Sequence, residues 1–336
     1  MRVAPRERME GSAVSSILIA DIGGTNARFA IADNDAIHGE TYLKVADFPG
    51  PVEAARHYLA GCSTHPARAV FAVAGPVTGA DAFELTNHPW RFSIEATRRG
   101  IDLASLKLIN DFHAVALGVL DAAPGSIRQI GGGTAVPNGN IGILGPGTGL
   151  GMASLVWDPD HGAYVAVPGE GAHGTVPVGS AREFALIEWL QRDKYSHISV
   201  ERVCSGKGLA NLYRAIRGVD AGRDFAPLAP EDITARALSG ECEACREALT
   251  LMLGFLGRVA GNLALTVNAT GGVYFAGGIL PKLGASYLEN SRLRGSFTAK
   301  GRFTAYVDRI PTFLVEDPFL PLKGLRRYAL SFADET

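Results

Sequence analysis

Apolar residues come in short runs along the first third of the chain. ILIAD (17–21), ARFAIAD (27–33), AVFAVAG (69–75), AFELTN (82–87) and LKLIN (106–110) each have strand length. Their apolar character and length predict strands. Helical spacing recurs between them, around residues 52–60 and 93–99. It returns in FHAVALGVL, for which the preceding Asp111 is the expected N-cap.

A Gly- and Pro-rich stretch over 121–140 reads as a boundary region. Beyond it NIGILG, MASLVW and AYVAVPG predict further strands. SAREFALIEWLQRD predicts a helix opened by a capping box of Ser180 and Glu183. GLANLYRAIRG, PEDITARALSG and residues 243–267 read as helices. GGVYFAGGI is a buried strand ending in a Gly-Gly turn with a helix after it, PTFLVED a late strand, and KGLRRYALSF a closing helix. One plan occurs twice: ILIADIGGTNARFAI and IGILGPGTGLGMASLV each run apolar strand, Gly/Thr turn, apolar strand. Aligned on that plan, Asp21 falls opposite Gly145 and Gly23 opposite Gly147, which suggests two related halves.

A length of 336 residues exceeds what a single core usually supports, so two domains are expected. A net charge of -2 leaves no basic field to hold nucleic acid or an anionic membrane. The 41 glycines against 18 prolines suggest many close backbone turns rather than a flexible tract. Four irregularly placed cysteines suit a reducing cytoplasm, and the lone Cys242-x-x-Cys245 reads as two thiols at a helix start. The polar, Arg-rich residues 1–16 read as a loose extension and not a secretory signal, with Met9 an alternative start. Residues 259–281 carry no charge, but Asn262, Asn268 and four glycines break the run, so no membrane span is expected.

The chemistry concentrates in the turns. Glycine turns between strands can aim successive N–H groups into one concavity that accepts phosphate oxygens. Gly23, Gly24 and Thr25 form one such turn and Gly147, Thr148 and Gly149 the other. Neither fits a Walker loop, and neither leads into a helix as a Rossmann turn does. Asp21 beside the first turn serves either to hold a hydrated Mg2+ on a nucleoside triphosphate or as a turn-forming Asx residue. Asn110 and Asp111 lie at a strand-to-helix junction, where a carboxylate suits a general base for an attacking hydroxyl or a plain cap. Glu170 and His173, set among glycines in VPGEGAHG, suit neighbouring hydroxyls of a polyol. From its own context Glu201 reads as a solvated helix-end charge, and Lys207 as a surface charge.

Together DIGGTNARFA, AGPVTG, TNHPW, INDF, GPGTGLG, PGEGAH, ERVCSGKGL, GNLAL and GGVYFAGGI resemble, in order, the bacterial glucokinase family of the hexokinase/actin-like ATPase superfamily, of the type without a zinc motif. The resemblance covers about residues 17 to 317. It implies an α/β, two-domain actin-like ATPase (ribonuclease H-like) fold, each domain a mixed β-sheet flanked by helices, with the active-site cleft between them. The domains would be 17–121 plus 312–336 (small) and 122–311 (large). It implies ATP, Mg2+ and D-glucose as ligands, a homodimer, and glucose 6-phosphate as product at the first step of glycolysis. Asp111 would be the catalytic base, and Asn110, Asp111, Glu170, His173 and Glu201 would bind the sugar, which reverses the local reading of Glu201. Asp21, Gly23, Gly24, Thr25, Gly147, Thr148, Gly149, Gly277 and Gly278 would bind the nucleotide, with Asp21 holding Mg2+ through water. Asn87 and Trp90 would support the pocket wall.

Two departures from the family pattern stand out. Ala172 replaces a usual Gly beside His173 and would strain the loop if that position needed positive φ. PFLPLKGLRRYAL lacks the usual glycine run, which leaves the register of the last helix open. The rivals are a kinase for another hexose such as mannose or fructose, and an actin-like ATPase that needs no sugar. A sugar-responsive regulator would require a DNA-reading domain that 16 polar residues before the first strand do not provide.

Overall fold

The computed structural model describes residues 16–85, 90–222 and 225–331 and divides the chain into two units, Met1–Asp121 with Phe319–Thr336, and Ala122–Pro318. The expectations for the N-terminal extension and for Asn87 lie outside the described residues, apart from Ser16.

The first unit holds a five-stranded sheet. Its strands are β1 (Ile17–Ile22), β2 (Asn26–Ala32), β3 (Ile37–Lys44), β4 (Arg68–Val73) and, after a short β5 (Ala82–Glu84) and β6 (Arg91–Ser93) hairpin, β7 (Ser105–Asn110). The order is β3-β2-β1-β4-β7, with β1 antiparallel to β2 and parallel to β4, and β4 parallel to β7. Side chains alternate across β1, so both faces must be covered. Leu18, Ala20 and Ile22 pack with Phe29, Phe71 and the helix α1 (Pro51–Leu59). Ile17 and Ile19 pack with Val70, Ile109 and Leu322, on the face of α3 (Asp111–Val119) and the C-terminal helix Leu320–Ser331. Helix α2 (Ile94–Ile101) is capped by the Ser93 hydroxyl, which accepts from the Ala96 N–H at 2.9 Å.

α3 and the C-terminal helix approach backbone to backbone at two glycines. A Cβ on Gly324 would collide with the Ala114 carbonyl, and one on Gly118 with the Leu320 carbonyl. These two glycines set the register of the last helix, without the family's longer glycine run.

The second unit repeats the plan. β8 (Ile127–Gly131), β9 (Ile141–Pro146), β10 (Leu150–Asp158), β11 (Ala163–Gly169), β12 (Gly272–Phe275) and β13 (Thr312–Val315) form a sheet of order β11-β10-β9-β12-β13-β8. As in the first unit, an antiparallel meander is followed by two parallel strands. Helices α4 (Ala181–Asp193), α5 (Gly206–Ala221), α6 (Pro230–Ser239) and α7 (Glu243–Val267) follow within the unit. α7 is long and apolar enough to cross a membrane by length and composition, yet its apolar window is 72% buried within the fold. It packs closely on the helix Arg292–Thr298, where Gly257 and Gly261 face the Leu293 and Phe297 carbonyls.

The structure corrects three expectations here. Residues 312–318 belong to the second unit, because β13 pairs in parallel with β12 and antiparallel with β8. The boundary stretch 121–140 contains a strand, β8. The Ser180 hydroxyl caps α4 on the Glu183 N–H as predicted, but Glu183 reaches back to the Gly179 N–H (2.7 Å) rather than to Ser180. Its carboxylate, almost wholly buried, also pairs with Arg258 of α7 at 3.1 Å.

Candidate active site

In the first unit the parallel register lines up the carboxyl ends of three strands. Ile22 lies beside Val73, and Val73 beside Asn110. At about 4.8 Å per strand, Asp21 and the Asn110–Asp111 pair share one sheet edge roughly 10 Å apart. Asp21 falls on the face of Ile17 and Ile19, the face that carries α3. The surrounding protein withdraws water from Asp21 and pushes its carboxyl above the usual range, which its cross-strand neighbour Arg28 opposes.

The turn that follows is held at its ends, with the Gly23 N–H donating to the Asn26 carbonyl at 3.0 Å and the Val45 N–H to the Thr25 carbonyl at 3.0 Å. The N–H groups of Gly24 and Thr25 make no hydrogen bond among the described residues.

At the third strand end, Asn110 and not Asp111 is the N-cap. Its Oδ1 accepts from the N–H groups of Phe112 (2.9 Å) and His113 (3.2 Å), and its Nδ2 donates to the Gly75 carbonyl at 3.1 Å. That arrangement bolts α3 to the loop after β4 and leaves one amide hydrogen of Asn110 uncommitted. Asp111 becomes the first helical residue, where the helix N-terminus favours its negative charge. Its Oδ1 accepts from the Phe112 N–H at 2.8 Å. Trp90 is buried in the core, and its Nε1 donates to the Phe48 carbonyl at 3.0 Å, so it supports this unit from within.

In the second unit the turn Gly147–Gly149 is clamped from outside. The Gly206 N–H at the start of α5 donates to the Gly147 carbonyl at 2.9 Å. Glu201 Oε2 accepts from the Leu150 N–H at 3.0 Å, and a Cβ on Gly149 would lie only 2.5 Å from that oxygen. Glu201 is therefore neither a solvated end charge nor confined to the sugar side, because its carboxylate braces the glycine turn. The N–H groups of Thr148 and Gly149 are free of partners among the described residues.

Gly277 lies against the same strand end. Its φ is +89°, and a Cβ there would lie 2.7 Å from the Pro146 carbonyl, so only glycine fits the turn. Gly278 beside it is exposed, with open space where a Cβ would point.

Glu170 and His173 come together, with His173 Nε2 at 3.5 Å from Glu170 Oε2 and both side chains more than half exposed. Ala172 between them sits in a 3-10 turn, Gly171–His173, with negative φ, and its methyl is buried in the core. The strain that its replacement of glycine threatened does not arise. His173 and Glu201 line one cavity of about 320 Å³. Sequence reasoning missed the clamp of Gly206 and the Gly75 anchor, since each acts through a backbone group that carries no residue-type signal.

The Glucokinase family model matches residues 18–331. The glucokinase of Paramagnetospirillum magneticum is 42% identical, covering 92% of this chain and 96% of its own. A glucokinase from an Antarctic psychrotroph, known from a crystal structure, is similar at a TM-score of 0.82 and 35% identity, over 95% of this chain and 100% of that one. A ROK family glucokinase from Streptomyces griseus, crystallised with glucose and AMPPNP, shares the fold at a TM-score of 0.63 and 17% identity, over 94% and 99% of the two chains. The architecture is the two-domain actin-like ATPase fold, each unit built on the meander-plus-parallel sheet described above. With the family match running from the first strand to the C-terminal helix, this chain belongs to the glucokinase family.

Proposed function

We propose that the chain transfers the γ-phosphoryl group of ATP to the 6-hydroxyl of D-glucose, giving glucose 6-phosphate and ADP. The observation that carries the reading is the sheet edge of the first unit, where the register sets Asp21 and Asp111 at strand ends on either side of β4. Asp111 orients the sugar hydroxyl and accepts its proton as the oxygen–phosphorus bond forms. Asn110 offers its uncommitted amide hydrogen to a neighbouring hydroxyl. The paired Glu170 and His173, with Glu201, read the remaining hydroxyl pattern, and a sugar that leaves these groups unpaired is rejected.

The unpartnered N–H groups of Gly24 and Thr25, and of Thr148 and Gly149, receive phosphate oxygens. Gly277 and Gly278 form the wall beside the adenosine. Mg2+ fits the first turn, because Asp21 offers a hard oxygen donor already short of water, and one carboxylate with phosphates is a common complement for this ion. When bound it offsets phosphate charge. Four free cysteines support a reducing, cytoplasmic setting, and the homodimer is the assembly the family resemblance implies.

The test is a coupled assay of ADP release with glucose, mannose, fructose or no sugar, on the wild type and Asp111→Asn. Glucose-dependent release that falls by about 10²–10⁴ in the variant is expected. A preference for another hexose would move the chain to a different sugar kinase. Release indifferent to any sugar would make it a plain ATPase.

A further inference from the structure

The cavity that His173 and Glu201 share is also lined by Lys194, Tyr195, His197, Ser199 and Arg202, for which the proposed reaction has no use. Lys194 Nζ lies 5.1 Å from the centre of the Tyr195 ring and Arg202 Cζ 4.4 Å from it. The ring is fixed, because its hydroxyl donates to Asn211 Oδ1 at 3.2 Å and Asn211 Nδ2 donates to the Arg202 carbonyl at 3.0 Å. Two cations are thus held at one cavity wall by cation–π contact and not by acids.

Neither cation has a counter-charge beside it among the described residues. Arg182, Arg192, Arg214 and Arg258 of the same unit each pair with a carboxylate. Lys194 and Arg202 form no ion pair among the described residues. Glu201, the acid on the cavity wall, spends Oε2 on the Leu150 N–H. Ser199 also lines the cavity. Its hydroxyl makes no hydrogen bond among the described residues and stays open to the cavity, where it can meet an acceptor. His197 adds a ring whose Nε2 meets Thr175 Oγ1 at 3.1 Å.

We infer that this cavity is a binding subsite for a phosphoryl dianion, either free phosphate or a small phosphate monoester, separate from the triphosphate turns. A guanidinium, an ammonium and a hydroxyl lining one cavity match the several acceptor oxygens of a tetrahedral anion. The whole cavity, including the His173 and Glu201 wall, is about 320 Å³, so any group attached to the phosphate must be small.

The test is equilibrium dialysis of ³²P-labelled inorganic phosphate against the full chain, with saturating ADP present to fill the triphosphate turns. Wild type, Lys194→Ala and Arg202→Gln are compared. One saturable phosphate per chain is expected in the wild type, with affinity at least about 10-fold weaker in each variant. Lys194 is exposed, so its variant keeps the wild-type Tm, and its sugar phosphorylation in phosphate-free buffer is unchanged. Unlabelled glycerol phosphate is the second arm. Displacement at lower concentration than unlabelled phosphate assigns the subsite to monoesters, and weaker displacement assigns it to free phosphate. Absence of saturable binding below about 10 mM, binding that both variants retain, or binding that ADP abolishes would overturn the subsite. The measurement needs no turnover, so its failure is distinct from a failed glucose assay.

Discussion

The turn after β1 carries an acid on its own strand, Asp21, whereas the turn after β9 carries none and is met by Glu201 from 51 residues away. Both turns leave two N–H groups open, and both stand where an antiparallel meander joins parallel strands. The hairpin ends keep the alignment made on the repeated plan. Ile22 pairs with Ala27 and Pro146 with Leu150 at the mouths of the two turns, so Asp21 and Gly145 each stand one residue before the last pair. At the matching position one unit has an acid and the other a glycine. The first turn draws its charge from local sequence at the cost of desolvating it. The second imports a carboxylate that is already hydrogen-bonded and spends it on holding the loop.

Asp21→Asn tests that contrast with the largest expected effect. Turnover should fall about 100- to 1000-fold, the range seen when a group aimed at developing charge is removed. Stability should move the other way. The carboxyl of Asp21 is held above its usual range, so the folded chain binds that proton more tightly than the unfolded chain. The resulting penalty is absent below the ordinary carboxylate range and complete once pH has risen past the raised value. At neutral pH the variant should melt higher, by about 2–4 °C for each kcal/mol relieved, and the gap should close as pH falls through the raised value. Calorimetry of both proteins across pH 3–8 reads this. A variant that melts lower at pH 7 would show that Asp21 is a structural residue of the turn.

Next in size is the support behind Asp111. Gly324→Ala forces a methyl against the Ala114 carbonyl of α3, which should cost about 2–3 kcal/mol and push α3 off its seat. Because α3 begins at Asp111, kcat should drop about 10-fold even well below Tm. Gly257→Ala makes the equivalent intrusion on the Leu293 carbonyl in the second unit. Its cost in stability should be similar, but kcat at low temperature should stay near the wild-type value. Equal losses of kcat in both variants would remove the distinction between the two supports.

Apolar runs were legible even at the sheet edges β7 and β11, whereas the polar edges β3 and β8 were hidden. β1, β4 and β9 are covered on both faces and read as apolar runs, whereas β3 (IHGETYLK) and β8 (IRQIG) are sheet edges with mostly exposed or half-exposed residues. Where an edge strand packs on few neighbours, its pattern carries little hydrophobic signal. The late strand PTFLVED was visible as a strand, but its unit was not, because only pairing with β12 decides which sheet takes it. Asp21 and Asp111 were visible because each stands at the end of its own apolar run. Asn110 was visible but its capping role was given to Asp111, since either residue type caps a helix and only the backbone shows which one has left helical geometry. Glu201 was misread locally because its partner, the Leu150 N–H, lies on a distant turn.

The smallest effects separate bracing from ligand contact within the second turn. A Cβ on Gly147 meets nothing within 4 Å, and the residue lies outside the left-handed region, so Gly147→Ala should leave Tm unchanged. If the turn receives phosphate, that methyl still narrows the approach, and KM for ATP should rise about 3- to 10-fold with kcat little altered. Gly149→Ala differs because its methyl lands 2.5 Å from Glu201 Oε2. The carboxylate must swing away from the Leu150 N–H, which should cost about 1 kcal/mol of stability through the lost hydrogen bond. The same swing should disturb the cavity wall that Glu201 shares with His173, so KM for glucose should rise together with KM for ATP. Steady-state kinetics in both substrates checks the pair. A Gly149→Ala enzyme that changes only its response to ATP would mean that Glu201 braces the loop without touching the sugar side, and the contrast with Asp21 would then be one of stability alone.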